Sequence, residues 1–300
     1  MQRQIILMFF SLFFFVVGSP GAAEQAPAQN RGALFKVQQQ GGQTIYLFGT
    51  IHVGARDFYP LEPRLAGLLK QAPVLALEID PLGDPQKLAR AVQRHGLSNK
   101  AAAAMPPALR QRLDRLLRQY NIDADAVASM KPWLLASLLT VSEFATQGYE
   151  ASLAVDAHLS KQAHAAGQKI VELESADSQM ALFDRMTPAE QLQFLQEAIA
   201  GIEDKEQAGQ AREIADAWRK ADVQALDALA RKAEQDDTFS GRFVQQVLLE
   251  GRNPTLADSV VNLMARENNS VAAIGVLHLV GKTSVPELLR KRGLSVERIY

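Results

Sequence analysis

No cysteine occurs among the 300 residues. That absence removes thiol nucleophiles, cysteine-ligated zinc, iron–sulfur clusters, disulfides and thioether-linked lipid anchors. Net charge is nearly absent too: 32 Lys and Arg against 33 Asp and Glu leave −1. Nothing electrostatic therefore favours nucleic acid or an anionic membrane as a partner. Beyond the N-terminus no apolar run approaches the roughly 20 residues needed to span a bilayer. What remains is a globular composition, 47% hydrophobic and 22% charged, which excludes disorder as the main state. At this length one large α/β domain or two small ones are the options.

The first residues differ from the rest. Arg3 precedes a 13-residue run at 5–17 broken only by Ser11, and small residues follow at 18–23. This is the pattern of a secretory signal peptide over 1–23, with cleavage after Ala23. The alternative is an uncleaved anchor, although the run is short for a bilayer. Either way the folded part is expected outside the cytoplasm, periplasmic or secreted, touching the membrane only through an uncleaved signal. Residues 24–32 read as a flexible tether, and 33–300 as the folded domain.

Four short stretches, 44–51, 74–79, 169–173 and 270–277, are apolar almost throughout instead of alternating, which suits parallel strands covered on both faces. Residues 34–38 with the Gly41-Gly42 turn read as a hairpin partner of the first, and 295–300 as a closing edge strand. Between Pro85 and Met264 the spacing is helical. Thr187-Pro188-Ala189-Glu190 carries a cap, a first-turn proline and a capping-box glutamate, and Asp84-Pro85 and Asn253-Pro254 repeat the cap-plus-proline signal. The expected fold class is α/β: a central, mostly parallel sheet flanked by helices, with a large helical insertion.

Of only five histidines, two close the same tetrad at the end of an expected strand: Gly49-Thr50-Ile51-His52 and Gly275-Val276-Leu277-His278. Five histidines and 19 glycines in 300 residues give 5 × 19/300, about 0.3 such tetrads, by chance. Two further strands end in carboxylates, Glu78 and Glu174. Four parallel strands would collect His52, Glu78, Glu174 and His278 at the carboxyl edge of the sheet, where open α/β sheets bind ligands. Two imidazoles with one or two carboxylates suit Mn, Fe, Co or Zn and leave positions for water and substrate. A pair of core histidines and two hydrogen-bonded strand-end carboxylates is the bland alternative, and it stays open here.

Other chemistries fail on inspection. No histidine is followed by Glu as in zincins, and no Gly-x-Ser-x-Gly elbow occurs. Gly275 to Thr283 ends like a P-loop, but five residues separate its glycines and they are bulky. His158 and His164 lie six apart on one expected helix, on different faces, and are read as outside the site. His95 reads as a helix terminus. Arg252 is read as a clamp on a substrate carboxylate or on a site glutamate, or else as an exposed salt bridge.

The ordered set Leu47-Phe48-Gly49-Thr50-Ile51-His52-Val53-Gly54, Leu77-Glu78, Leu173-Glu174, Gly251-Arg252-Asn253 and Gly275-Val276-Leu277-His278-Leu279-Val280-Gly281 resembles the TraB/GumN family over about 33–300. The animal branch of that family, the TIKI proteins, comprises membrane-tethered metalloproteases with paired Gly-x-x-His motifs. The resemblance implies a sheet-centred fold shared with erythromycin esterase and ChaN-like haem-binding proteins, and a hydrolytic site dependent on a divalent metal (Mn, Co or Zn). Carried over by position, His52, Glu78, Glu174 and His278 are the expected metal ligands and catalytic groups. Asp156 matches an Asp on a preceding helix, and Arg252 and Asn253 match an Arg-Asn pair, with Arg252 counted among the catalytic residues. Residues 282–287 fit the bacterial pattern, which implies a periplasmic protein of a Gram-negative bacterium. The expected substrate is a peptide or a small ester or amide. The alternatives are a non-catalytic periplasmic binder of haem or another ligand, and a partner protein in envelope assembly.

Overall fold

The computed structural model describes residues 29–98 and 105–300. The segment read as a signal peptide, most of the expected tether and the alanine run 101–104 lie outside them. The first buried residue among those described is Arg31, within the expected tether, and the Gly32 N–H donates to the Trp218 carbonyl at 2.6 Å.

Six strands build one sheet: β1 (Leu34–Gln38), β2 (Thr44–Thr50), β3 (Val74–Leu77), β4 (Lys169–Glu172), β5 (Ser270–Gly275) and β6 (Ser295–Arg298). Their order is β4-β3-β5-β2-β1-β6. Strands β4, β3, β5 and β2 run parallel, whereas β1 pairs antiparallel with both β2 and β6. The sheet is thus mixed, parallel in the half that carries the candidate site. Strands β3 and β5 are buried at every position, because neighbours flank them and helices cover both faces. At the sheet edge, β4 is only partly buried, so the sequence reading of full burial fails for that one strand.

Apart from β4, the described residues between β3 and β5 are mostly helical, with long helices at Pro107–Gln119, Pro132–Thr146 and Pro188–Glu203. They enclose a second apolar core in which Trp133 stacks on Phe183 at 4.7 Å and Phe194 meets Phe243 edge-on. Leu277, inside the second tetrad, packs against both this core and the sheet core. The site motif therefore sits at the seam of the two.

Two expected helix starts form as read: Thr187 and Glu190 exchange capping-box bonds, and Asp84 accepts from the Gln86 N–H at 2.9 Å. The third does not. The helix Asn253–Arg266 begins at Asn253 itself, with Arg252 in the cap position and no side-chain cap. The Asn253 amide is drawn away to the sheet edge, as described next.

Candidate active site

Strands β2 and β5 are neighbours with Thr50 opposite Gly275, so they end level and project the two tetrads side by side. Past their ends the chain leaves extended structure. His278 lies in the 3-10 turn Val276–His278, and beyond Ile51 the chain is tied by the Val155 N–H to the Ile51 carbonyl at 3.0 Å. On the other side of β5, the β3–β4 pairing continues past both strands, with the Glu174 N–H donating to the Glu78 carbonyl at 3.0 Å. His52, Glu78, Glu174 and His278 thus come to the carboxyl edge of four adjacent parallel strands.

The tetrad glycines interlock these elements. A Cβ on Gly49 would stand 2.8 Å from Val276 Cγ2, so only glycine lets the second tetrad fold down on β2. A Cβ on Gly275 would lie 3.2 Å from Glu78 Oε1, 3.4 Å from His52 Nε2 and 3.7 Å from His278 Cδ2. The missing side chain of Gly275 is the point on which three candidate groups converge.

Each imidazole is held from behind. His52 Nδ1 donates to Asp156 Oδ2 at 3.1 Å, and its Nε2 faces Gly275. Burial works against the charged form of His52, but the Asp156 carboxylate outweighs it and the pKa is raised. His278 Nδ1 lies 2.6 Å from Asn253 Oδ1, while Asn253 Nδ2 donates to the Thr283 carbonyl at 2.8 Å. Because the amide nitrogen is committed to a carbonyl, its oxygen faces the ring, and His278 must carry its proton on Nδ1. Burial, then the nearby Arg252 guanidinium, push the His278 pKa down to about 3, so the ring is neutral.

Arg252 occupies the centre, 4% exposed. Its Nε donates to Glu174 at 3.0 and 3.1 Å, Nη2 bonds to both Glu78 and Glu174, and Nη1 lies 3.1 Å from His278 Nε2 and 3.3 Å from the Leu248 carbonyl. An exposed salt bridge is therefore not what it makes. A π-helical stretch, Phe243–Glu250, delivers it: the Gly251 N–H reaches back five residues to the Gln246 carbonyl at 3.0 Å. Burial opposes ionisation of Glu78, yet Arg252 overrides it and, with the Gly275 N–H at 2.6 Å, holds the carboxyl well below the usual range.

Gln179, which the sequence reading missed, bridges the two glutamates, its Nε2 3.2 Å from Glu78 and 2.9 Å from Glu174. Its signal was a polar residue on the buried stripe Ala176, Met180, Phe183 of an otherwise amphipathic helix. The remaining histidines stand apart. His158 stacks on Tyr59 at 4.0 Å, His164 pairs with Asp80 at 2.8 Å, and His95 lies between Asp177 and Asp184.

Two imidazoles, each backed at Nδ1 by an outer oxygen, and a carboxylate beside them are residue types that Mn, Co and Zn take. By residue type, His52, Glu78 and His278 are the groups that would hold such an ion, although Glu78 and His278 both bond to Arg252. Glu174 is committed to Arg252, and among the described residues no group of three or more His, Asp or Glu stands arranged around an ion position. The guanidinium fills the space between Glu78, Glu174 and His278.

The TraB/PrgY/gumN family profile matches residues 33–298. "Uncharacterized protein YbaP" of Escherichia coli (strain K12) is 25% identical over 250 residues, 83% of this chain and 89% of that protein. YbaP of Shigella flexneri aligns to the same extent. No solved structure gives a significant match.

Proposed function

The chain belongs to the TraB/PrgY/gumN family, and from that premise we propose that it is a metal-dependent hydrolase of peptide, ester or amide bonds, acting outside the cytoplasm. The observation that carries this reading is the pair of imidazoles each held at Nδ1, His52 by Asp156 and His278 by Asn253, close to Glu78 at the ends of adjacent strands.

His52, Glu78 and His278 would hold the ion, which when bound polarises the scissile carbonyl and supplies a nucleophilic water. Asp156 and Asn253 hold the two rings at Nδ1, and the His278 Nε2 lone pair, taken by Arg252 Nη1, becomes available to the ion when that bond is given up. Burial of His52, Glu78 and His278 keeps bulk water out and strengthens each polar contact among them. Glu174 and Gln179 fix the position of Glu78 through Arg252 and directly.

Purified mature protein is expected to bind Mn, Co or Zn near one equivalent, to lose it in His52→Ala and His278→Ala, and to keep it in His164→Ala. A peptide and ester library should be cleaved without chelator and spared with it. Failure of the wild type to take up any of these ions would refute the reading.

One observation favours a second reading, a non-catalytic ligand binder. An open groove of about 610 Å³ runs between the helices Pro63–Gln71 and Val155–Ala166, floored by Leu75, with Tyr59 and His158 in its lining and no carboxylate. Haem uptake lost in His158→Ala, with no ion bound at His52 and His278, would support it.

A further inference from the structure

Glu78 and Glu174 are 7% and 8% exposed at their side chains, sit on paired backbone segments, and approach the same guanidinium nitrogen. Two ionised carboxylates cannot share such a place without a cation; without one, a proton would be taken up between them. Arg252 supplies it completely. A guanidinium has five N–H groups: Nε–H goes to Glu174, the Nη2 pair to Glu78 and Glu174, and the Nη1 pair to His278 Nε2 and the Leu248 carbonyl.

Two of those five bonds fall on groups that an ion would need, Glu78 Oε2 and His278 Nε2. A divalent ion taking them must displace the Nη1 bond to His278 and the Nη2 bond to Glu78, leaving the guanidinium on Glu174 through Nε and Nη2. The charges point the same way. Two carboxylates and one guanidinium sum to −1, and an added divalent ion makes the cluster +1, with like charges pressed together in a dry site.

We infer that Arg252 is an internal counter-cation, which keeps the carboxylates of Glu78 and Glu174 assembled in the metal-free protein and competes with a divalent ion for Glu78 and His278. The competition rests on the metal reading above; the counter-cation role does not. Glu174 then serves as the permanent seat of Arg252, which explains why a second strand-end glutamate accompanies the site without being left available as a ligand.

The test uses the whole mature chain, thermal melting in chelator and in Mn or Zn, and calorimetric titration with the metal salt alone. Arg252→Met should melt well below wild type in chelator, be raised by the ion far more than wild type is, and bind it about tenfold tighter or more, because the guanidinium and its positive charge no longer occupy Glu78 and His278. Adding Glu174→Gln to Arg252→Met should recover much of the lost melting temperature without metal. Should Arg252→Met fail to fold, Glu174→Gln alone reads the same balance: the cluster becomes neutral and ion affinity should fall about tenfold. A double variant no more stable than Arg252→Met would overturn the counter-cation role. An affinity unchanged or weaker in Arg252→Met, or unchanged or tighter in Glu174→Gln, would overturn the competition. If neither wild type nor Arg252→Met binds an ion while the double variant recovers stability, the counter-cation role stands and both the competition and the metal reading fall.

Discussion

The two tetrad glycines occupy the same motif position, yet alanine should affect them in opposite ways. At Gly49 the new Cβ would meet Val276 at Cγ2 (2.8 Å), Cβ (3.1 Å) and Cα (3.2 Å), so the backbone of the 3-10 turn has to give. Overpacking of this kind costs about 1–3 kcal/mol. Loss of glycine's unfolded-state freedom returns about 0.4–1 kcal/mol, leaving a net destabilisation of roughly 1–2 kcal/mol. For a domain of this size that lowers Tm by roughly 2–8 °C. At Gly275 the backbone, φ −48 and ψ 131, suits alanine, and the three nearest atoms all belong to side chains. Glu78 and His52 need withdraw only a few tenths of an ångström, so stability should stay within about 1 kcal/mol of wild type. The convergence point would nevertheless be filled, and divalent-ion affinity and hydrolysis should both collapse. Melting by circular dichroism, ion titration and the library assay on both variants decide the matter. Gly275→Ala melting as low as Gly49→Ala, or retaining wild-type ion affinity and turnover, would refute the reasoning.

The other predictions concern the supports around the site. Asn253→Leu removes the acceptor of the buried His278 Nδ1–H and the donor to the carbonyl of the exposed Thr283, and should destabilise by about 1–3 kcal/mol in chemical denaturation, nearly all of it from His278; a change under about 0.5 kcal/mol would mean that water replaces the amide. His158 is pulled from 6.5 down to about 4 by burial, then by Lys161, so the unfolded chain binds its proton more readily than the folded one does. Its contribution is therefore full above pH 6.5 and is lost as pH falls toward 4, by about 3 kcal/mol at most. Denaturation of His158→Phe should show a shallower fall over that window, and an unchanged slope would count against the burial argument.

Much of this protein was legible without its fold, because local patterns report local physics. Continuous apolar runs marked the parallel strands, since a strand covered on both faces has no use for alternation. Thr187-Pro188-Ala189-Glu190 announced a helix start whose donors need capping within one turn. The histidines and glutamates at the strand ends were visible as candidates for the same reason: a strand's last residue is read from where its apolar run stops. Tertiary structure decided what those residues touch. Inserting β5 between β3 and β2 sets Glu78 beside Gly275, although 197 residues separate them in sequence. His52 finds Asp156 across 104 residues, and Glu78 finds Arg252 across 174. Asn253-Pro254 is the instructive case, because the dipeptide is a good cap signal and the amide still goes to His278, where a buried ring nitrogen without a partner would cost more than an uncapped helix end open to water. Gln179 and Arg252 could not be placed by periodicity for a related reason. A polar side chain is buried only where distant groups complete its hydrogen bonds, and which groups those are is settled by the strand order and not by neighbours along the chain.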